Sequence, residues 1–169
     1  KRNVFNFLNV ELENIKKGDI FKIIALEQRF ERILEHPSLP FPITIGGSVD
    51  RIEERNGIIR IIDYKTGKVE KANVTLKSWN GLTEDIKNDK IIQILAYAYM
   101  FEKEISDKPI EAGIISFKNL KSGFLPFNFK EDKEVFTTIN KEILSNYLEQ
   151  LVLLLIEILD SSIDFKEKI

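Results

Sequence analysis

The stretch ITIGGSVDRIEERNGIIRIIDYK, residues 43–65, decides the fold. Ile43–Glu54 and Ile58–Lys65 are both rich in β-branched residues, and Asn56-Gly57 lies between them. Both turn residues accept the positive φ of a type I′ turn, so this stretch predicts a β-hairpin. A two-residue loop sets the register by arithmetic: Arg55 faces Ile58, Glu54 faces Ile59 and Glu53 faces Arg60, the last a favourable cross-strand charge pair. The same count sets Asp50 against Asp63, and Ser48 against Lys65.

Opposed residues have Cβ atoms about 4.5–5.5 Å apart. Two carboxylates at that distance repel unless a cation or a proton lies between them, and hard oxygen ligands of this kind suit Mg²⁺ or Mn²⁺. Lys65, two residues beyond Asp63, projects from the same face of its strand. Two acids and a lysine on one patch suit phosphodiester hydrolysis: a bound cation neutralises phosphate charge, and the lysine orients the attacking water or shares its proton. Taken alone, DYKTGK would read as a strand ending in a turn with a surface ion pair; the second acid on the neighbouring strand changes that reading.

Outward from the hairpin, residues 3–16 predict a helix with Phe5, Leu8, Val10 and Leu12 as its stripe, broken by Lys17-Gly18-Asp19. Ile20–Leu34 reads as a strand with Ile24, Leu26 and Phe30 on one side, or alternatively as a helix. Pro37, Pro40 and Pro42 mark a loop. His36, the chain's one histidine, falls in this loop and reads as a surface residue. After Lys65 a long connection runs from Val69 to about Asp89. It is followed by a helix over 89–103 with Ile92, Leu95, Ala96 and Tyr99 inward, strands over Ala112–Phe117 and Phe124–Phe129, and a long amphipathic helix over 132–160. This alternation predicts an α/β fold, a mixed β-sheet flanked by helices.

With 169 residues the chain suits one domain, 1–169, and its lack of a starting Met predicts a piece of a longer protein. Cysteine is absent, which excludes disulfides, thiolate nucleophiles and an iron–sulfur cluster within the chain. The longest apolar run, Leu151–Ile156, is far too short for a membrane span, and no secretory signal is present, so a cytoplasmic protein is expected. A net charge of −2 argues against a uniformly basic nucleic-acid binder, but not against a nuclease whose acids hold cations. Lys68, Lys71 and Lys77 follow the lysine-bearing strand. With Trp79 they form a candidate DNA contact, although Trp79 tucked into the core is an equal reading.

Gly47-Ser48-Val49-Asp50-Arg51-Ile52, then Ile61-Ile62-Asp63-Tyr64-Lys65-Thr66-Gly67-Lys68, then Gln93-Ile94-Leu95-Ala96-Tyr97 reproduce three motifs in order: G-x-x-D-R-I, D-Y-K-T-G and Q-x-x-x-Y. In these motifs the chain resembles the nuclease domain of the RecB and AddB proteins, within the PD-(D/E)XK superfamily. The resemblance implies a restriction-endonuclease-like fold and a Mg²⁺- or Mn²⁺-dependent deoxyribonuclease. It further implies an exonuclease role in DNA end processing or repair, with helicase-like domains or subunits as partners. By the same resemblance, Asp50, Asp63 and the Tyr64 carbonyl would hold the metal and Lys65 would be the catalytic lysine. Gln93 and Tyr97 would line the site and contact DNA. Arg51 and Thr66 join Lys68 and Trp79 as expected DNA contacts. The family usually adds a His or Glu from an earlier helix as a further ligand; Glu27 is the substitute here. The rival expectation is a catalytically silent module of the same fold that grips DNA or scaffolds a complex.

Overall fold

The computed structural model describes residues 2–101 and 108–164. The chain opens with helix α1 (Arg2–Lys16) and a long hairpin, β1 (Phe21–Leu34) and β2 (Ile43–Arg55), followed by β3 (Ile58–Lys65). A connection holding two 3₁₀ turns and the two-residue strand β4 (Thr75–Leu76) leads to α2 (Asp89–Phe101). Strands β5 (Ile110–Ser116), β6 (Phe124–Pro126), β7 (Asn128–Glu131) and β8 (Glu134–Phe136) precede α3 (Lys141–Leu159).

The main sheet has the order β1-β2-β3-β5-β6; β3 and β5 run parallel, with α2 as the crossover between them, and the other neighbours are antiparallel. A second sheet has the order β4-β7-β8. This is the mixed sheet flanked by helices that the hairpin and the later alternation predict. The hairpin turn forms as expected, with φ of 51° at Asn56 and 83° at Gly57, and the pairs run in the predicted register from Arg55–Ile58 to Arg51–Ile62.

One face of the main sheet carries the larger core. Val49, Ile52, Ile59, Ile61, Ala112 and Ile114 pack with Ile91, Ile94, Leu95 and Ala98 of α2 and with Leu144 and Tyr147 of α3. On the opposite face, Phe7 of α1 packs with Ile62, Ile115, Tyr64 and Phe117. Gly113 is obligatory: a Cβ there would lie 2.7 Å from Pro126 Cα and run into the Leu125 carbonyl, so only glycine lets β6 close on β5.

Several elements differ from their sequence reading. In α1 the inward residue is Phe7, while Phe5, Leu8 and Leu12 are exposed, because only one narrow edge of the helix touches the sheet. Residues 21–34 form a strand rather than the alternative helix. Of the expected inward set, only Phe30 is buried; Ile24 and Leu26 are exposed, next to a register shift between Ile23 and Ala25 and a left-handed Glu27 (φ 47°). In α2 the inward face is set by Ile91, Ile94, Leu95 and Ala98, so Ile92 and Ala96 of the expected stripe fall at its margins and are only partly buried. The end expected at Lys103 lies outside the described residues.

The expected strand 124–129 is two strands in two sheets. Its N–H at Phe127 bonds to Ala112 O at 2.7 Å, and the chain then turns into β7. The last helix begins at Lys141, with Asn140 as its N-cap, because residues 128–136 form the β7–β8 hairpin around a left-handed Asp132. His36 is an exposed loop residue whose Nδ1 accepts the Ser38 N–H.

Candidate active site

The β2–β3 ladder stops at Arg51–Ile62, one residue short of the acids, so Asp50 and Asp63 do not face each other as a ladder pair. Val49 and Ile52 both pack in the larger core although they are three residues apart, so strict alternation breaks between them, at Asp50. The two strands part there. Asp50 Oδ2 bridges the gap by accepting the Tyr64 N–H at 2.7 Å, which seats its carboxylate beside Asp63. In an extended strand the N–H and C=O of one residue project to the same edge, so the Tyr64 carbonyl also faces the β2 side. Ser48, expected against Lys65, lies beyond the end of this ladder as well; its ladder partner is Arg29, on the β1 side of β2.

Asp63 is 4% exposed, and burial pushes its carboxyl above the ordinary carboxylate value; the Asp50 charge adds to this and Lys65 opposes it. Lys65 Nζ lies 2.9 Å from Asp63 Oδ2 and donates to Gln93 Oε1 at 2.7 Å. Gln93 Nε2 in turn donates to the Tyr97 hydroxyl at 2.8 Å. Strand and helix are thereby joined in one polar chain, Asp63–Lys65–Gln93–Tyr97, over the face α2 covers. Tyr97 sits on Gly47: a Cβ there would come within 3.3 Å of the ring and 3.4 Å of Met100 Cε.

Oxygen donors of this kind fit a hard divalent cation. Asp63 Oδ2 is buried without a well-aligned hydrogen bond, its close neighbour being the Lys65 ammonium, so it retains acceptor capacity. Among the described residues no group of three or more His, Cys, Asp or Glu side chains is placed to hold a metal ion. Glu27 lies on β1 between the pairs Leu26–Arg51 and Gln28–Val49, level with Asp50, but its side chain is exposed and joins no such group.

Two of the expected DNA contacts are engaged within the protein itself. Arg51 is 6% exposed and held on the α1 face by Glu53, Glu11 and Tyr64, so its guanidinium is turned away from the acids. Trp79 stacks on Phe129, with centroids 5.3 Å apart, and packs against the core; its connection folds back along the second sheet. Thr66 and Lys68 are exposed just past β3, where Lys68 pairs with Glu70. Lys71 and Lys77 are exposed further along the same connection.

Two groups of residues escaped the sequence reading. Ser116 Oγ donates to Gly67 O at 2.7 Å and accepts the Val69 N–H, while Asn119 Nδ2 reaches Val69 O at 2.9 Å; together they tie down the turn after Lys65. Arg60, expected to pair with Glu53, instead approaches Glu111 at 3.5 Å, because Glu53 is taken by Arg51 and Arg55. The alternating charges of Arg51, Glu53 and Arg55 were the available signal, but period two is also what a solvent-facing strand shows.

A mixed sheet between helices, with an acidic pair and a lysine where two of its strands part, is a restriction-endonuclease-like α/β fold. The chain belongs to the PD-(D/E)XK nuclease superfamily, whose model matches residues 2–168. That membership implies nuclease activity and contact with nucleic acid in general terms, and divalent metals are the superfamily's usual cofactors. Among solved structures the chain is similar to one titled "Crystal structure of SSO0001", at 18% identity and a TM-score of 0.34, over 88% of this chain and 58% of that one. The chain thus spans little more than half the length of that structure. No curated protein matches the sequence. Among the described residues no helix is long and apolar enough to cross a membrane.

Proposed function

We propose that this chain is a DNA nuclease that hydrolyses phosphodiester bonds with a divalent cation, Mg²⁺ or Mn²⁺, held by Asp50, Asp63 and the Tyr64 carbonyl. The observation behind this reading is the parting of β2 and β3 at the acids. It leaves the Asp50 carboxylate anchored on the Tyr64 N–H and the buried Asp63 Oδ2 beside the Lys65 ammonium without a well-aligned hydrogen bond. When bound, the cation would neutralise phosphate charge and acidify an attacking water. Lys65, held at 2.7 Å by Gln93, would orient that water and take part in its proton transfer. Tyr97, anchored on Gly47 and bonded to Gln93, would line the path of the scissile strand. Thr66 and Lys68, exposed beyond β3, would meet backbone phosphates.

The order of the three motifs supports a narrower role, the exonuclease domain of a RecB- or AddB-like end-processing or repair protein. Residues 1–169 would form one domain working beside helicase-like domains or subunits.

The test is Lys65→Ala and Asp63→Ala, assayed on linear DNA with Mg²⁺ or Mn²⁺. Both variants should keep the wild-type circular dichroism spectrum and lose at least about 10²-fold in cleavage rate. A folded Lys65→Ala protein cutting at the wild-type rate would sink the mechanism. A silent DNA-gripping module of the same fold is favoured by one observation, the lack of a third acidic or imidazole ligand among the described residues. The two readings separate in a Mn²⁺ titration, since a silent module shows no saturable binding that Asp63→Ala removes.

A further inference from the structure

The face of β2 turned away from the acidic pair carries buried charges that the proposed chemistry does not use. Glu53 is 1% exposed and accepts hydrogen bonds from Arg55 Nε at 2.7 Å and from Arg51 Nη2. Both arginines also reach Glu11 of α1, at 3.3 Å from Arg51 and 2.6 Å from Arg55, and Arg55 binds Asp19 at 2.9 Å. The Phe21 ring lies against the two guanidinium groups, 5.2 and 4.6 Å from them. Taking so many charges out of water is costly, and such a cluster rarely stabilises a fold more than apolar packing would. A guanidinium held in several planar hydrogen bonds supplies direction instead, because its donors are fixed in a rigid fork.

The cluster reaches the acids through Tyr64. Arg51 Nη1 donates to the Tyr64 hydroxyl at 3.2 Å, while Phe117 stacks on the ring at 5.4 Å and Phe7 meets its plane edge-on at 5.6 Å. The backbone N–H of that same tyrosine holds Asp50 Oδ2. Asp50 lies beyond the last β2–β3 pair, so no ladder contact between these strands places its carboxylate.

We propose that Glu53 and Arg51 are positioning residues for the Asp50 carboxylate. Glu53 aims Arg51, Arg51 fixes the Tyr64 ring, and the fixed tyrosine presents the N–H that holds Asp50; Glu11 anchors the arrangement on α1. The inference rests on reading Asp50 as part of the metal-binding site, whereas the chain of contacts behind it is independent of that reading.

Glu53→Gln keeps the side chain's shape and removes its charge. Tyr64→Phe removes only the hydroxyl that Arg51 holds, and serves if Glu53→Gln fails to fold. Amide hydrogen exchange at Tyr64 is measured by NMR on metal-free protein and referred to Ile114 in the neighbouring strand, so that a general loss of stability cancels. The Tyr64 amide should exchange about tenfold faster relative to Ile114 in each folded variant, and the Mn²⁺ dissociation constant should rise about tenfold, as for other outer-shell groups behind metal ligands. An unchanged Tyr64-to-Ile114 ratio overturns the proposal and leaves the cluster a purely structural one. If the wild-type chain binds no Mn²⁺, the functional reading falls, and the exchange ratio still decides the positioning role.

Discussion

The side-chain oxygen of Gln93 lies 2.7 Å from the Lys65 ammonium, so a residue of α2 holds the direction of a residue of β3. Lysine is a flexible point charge, and a single acceptor placed beside it removes much of that freedom. Gln93→Ala should therefore leave the fold intact while Lys65 swings toward Asp63 alone. The expected result is a fall in kcat of about 10²-fold with little change in DNA affinity, since misplacement of a reacting group by about 1 Å can cost that much. Single-turnover cleavage and a binding titration on the same variant check it.

Asp63→Asn should abolish cleavage and make the chain more stable. Burial raises the Asp63 carboxyl above its ordinary value of 3.8, so at neutral pH the folded state holds a charge it disfavours. The sign follows from linkage: the penalty is fully present above the raised value, shrinks as pH falls through it, and is gone below the unfolded value. In chelator at pH 7 the variant should melt above the wild type, by roughly 2–4 °C for each kcal/mol relieved. The two melting curves should converge as the pH falls toward 3.8. Calorimetric scans at the two pH values test this, and a lower melting temperature for the variant at pH 7 contradicts it.

Gly47→Ala separates site geometry from stability. Its Cβ would press on Tyr97 Cε1 at 3.3 Å and Met100 Cε at 3.4 Å, both of them side-chain atoms able to yield a little. Urea denaturation should show a loss of no more than about 1–2 kcal/mol. Cleavage should fall further than that loss accounts for, because the displaced ring pulls on Gln93. Wild-type turnover in this variant would remove Tyr97 from the site.

Trp79, the chain's one tryptophan, should report folding and not DNA. Its stack on Phe129 predicts emission that is unchanged when DNA is added and that shifts red on denaturation. Trp79→Ala should cost roughly 1–2 kcal/mol in stability, less than a fully buried aromatic would, because the ring is only partly buried against the core. Strong quenching by DNA in the wild type would return the ring to the binding surface.

The hairpin was legible in the sequence because its turn allows few alternatives: Asn56-Gly57 adopts the expected positive φ angles, and register follows from the turn alone as far as Arg51–Ile62. Asp50 and Asp63 lie on neighbouring strands as expected, but not as a ladder pair, because the break in alternation at Asp50 is invisible to period-two counting. The surroundings of Arg51 are illegible in the sequence for a related reason. Alternating charge looks the same whether a strand face meets water or a helix, and only the docking of Phe7 and Glu11 decides between them. The late elements were blurred because an apolar residue at Phe127 continues a strand pattern equally well when the chain changes sheets there.

The strand β1 forms one border of the main sheet and runs for 14 residues, longer than any other strand described. A straight border of that length would be a template on which further molecules could add strand by strand. The slip between Ile23 and Ala25 and the left-handed turn of Glu27 bend it, and Lys22, Arg29 and Glu31 place charge along it. Straightening Glu27 by a β-branched residue would therefore be felt first in the shelf life of concentrated solutions, through slow fibre growth, before any change in the chemistry of the acids.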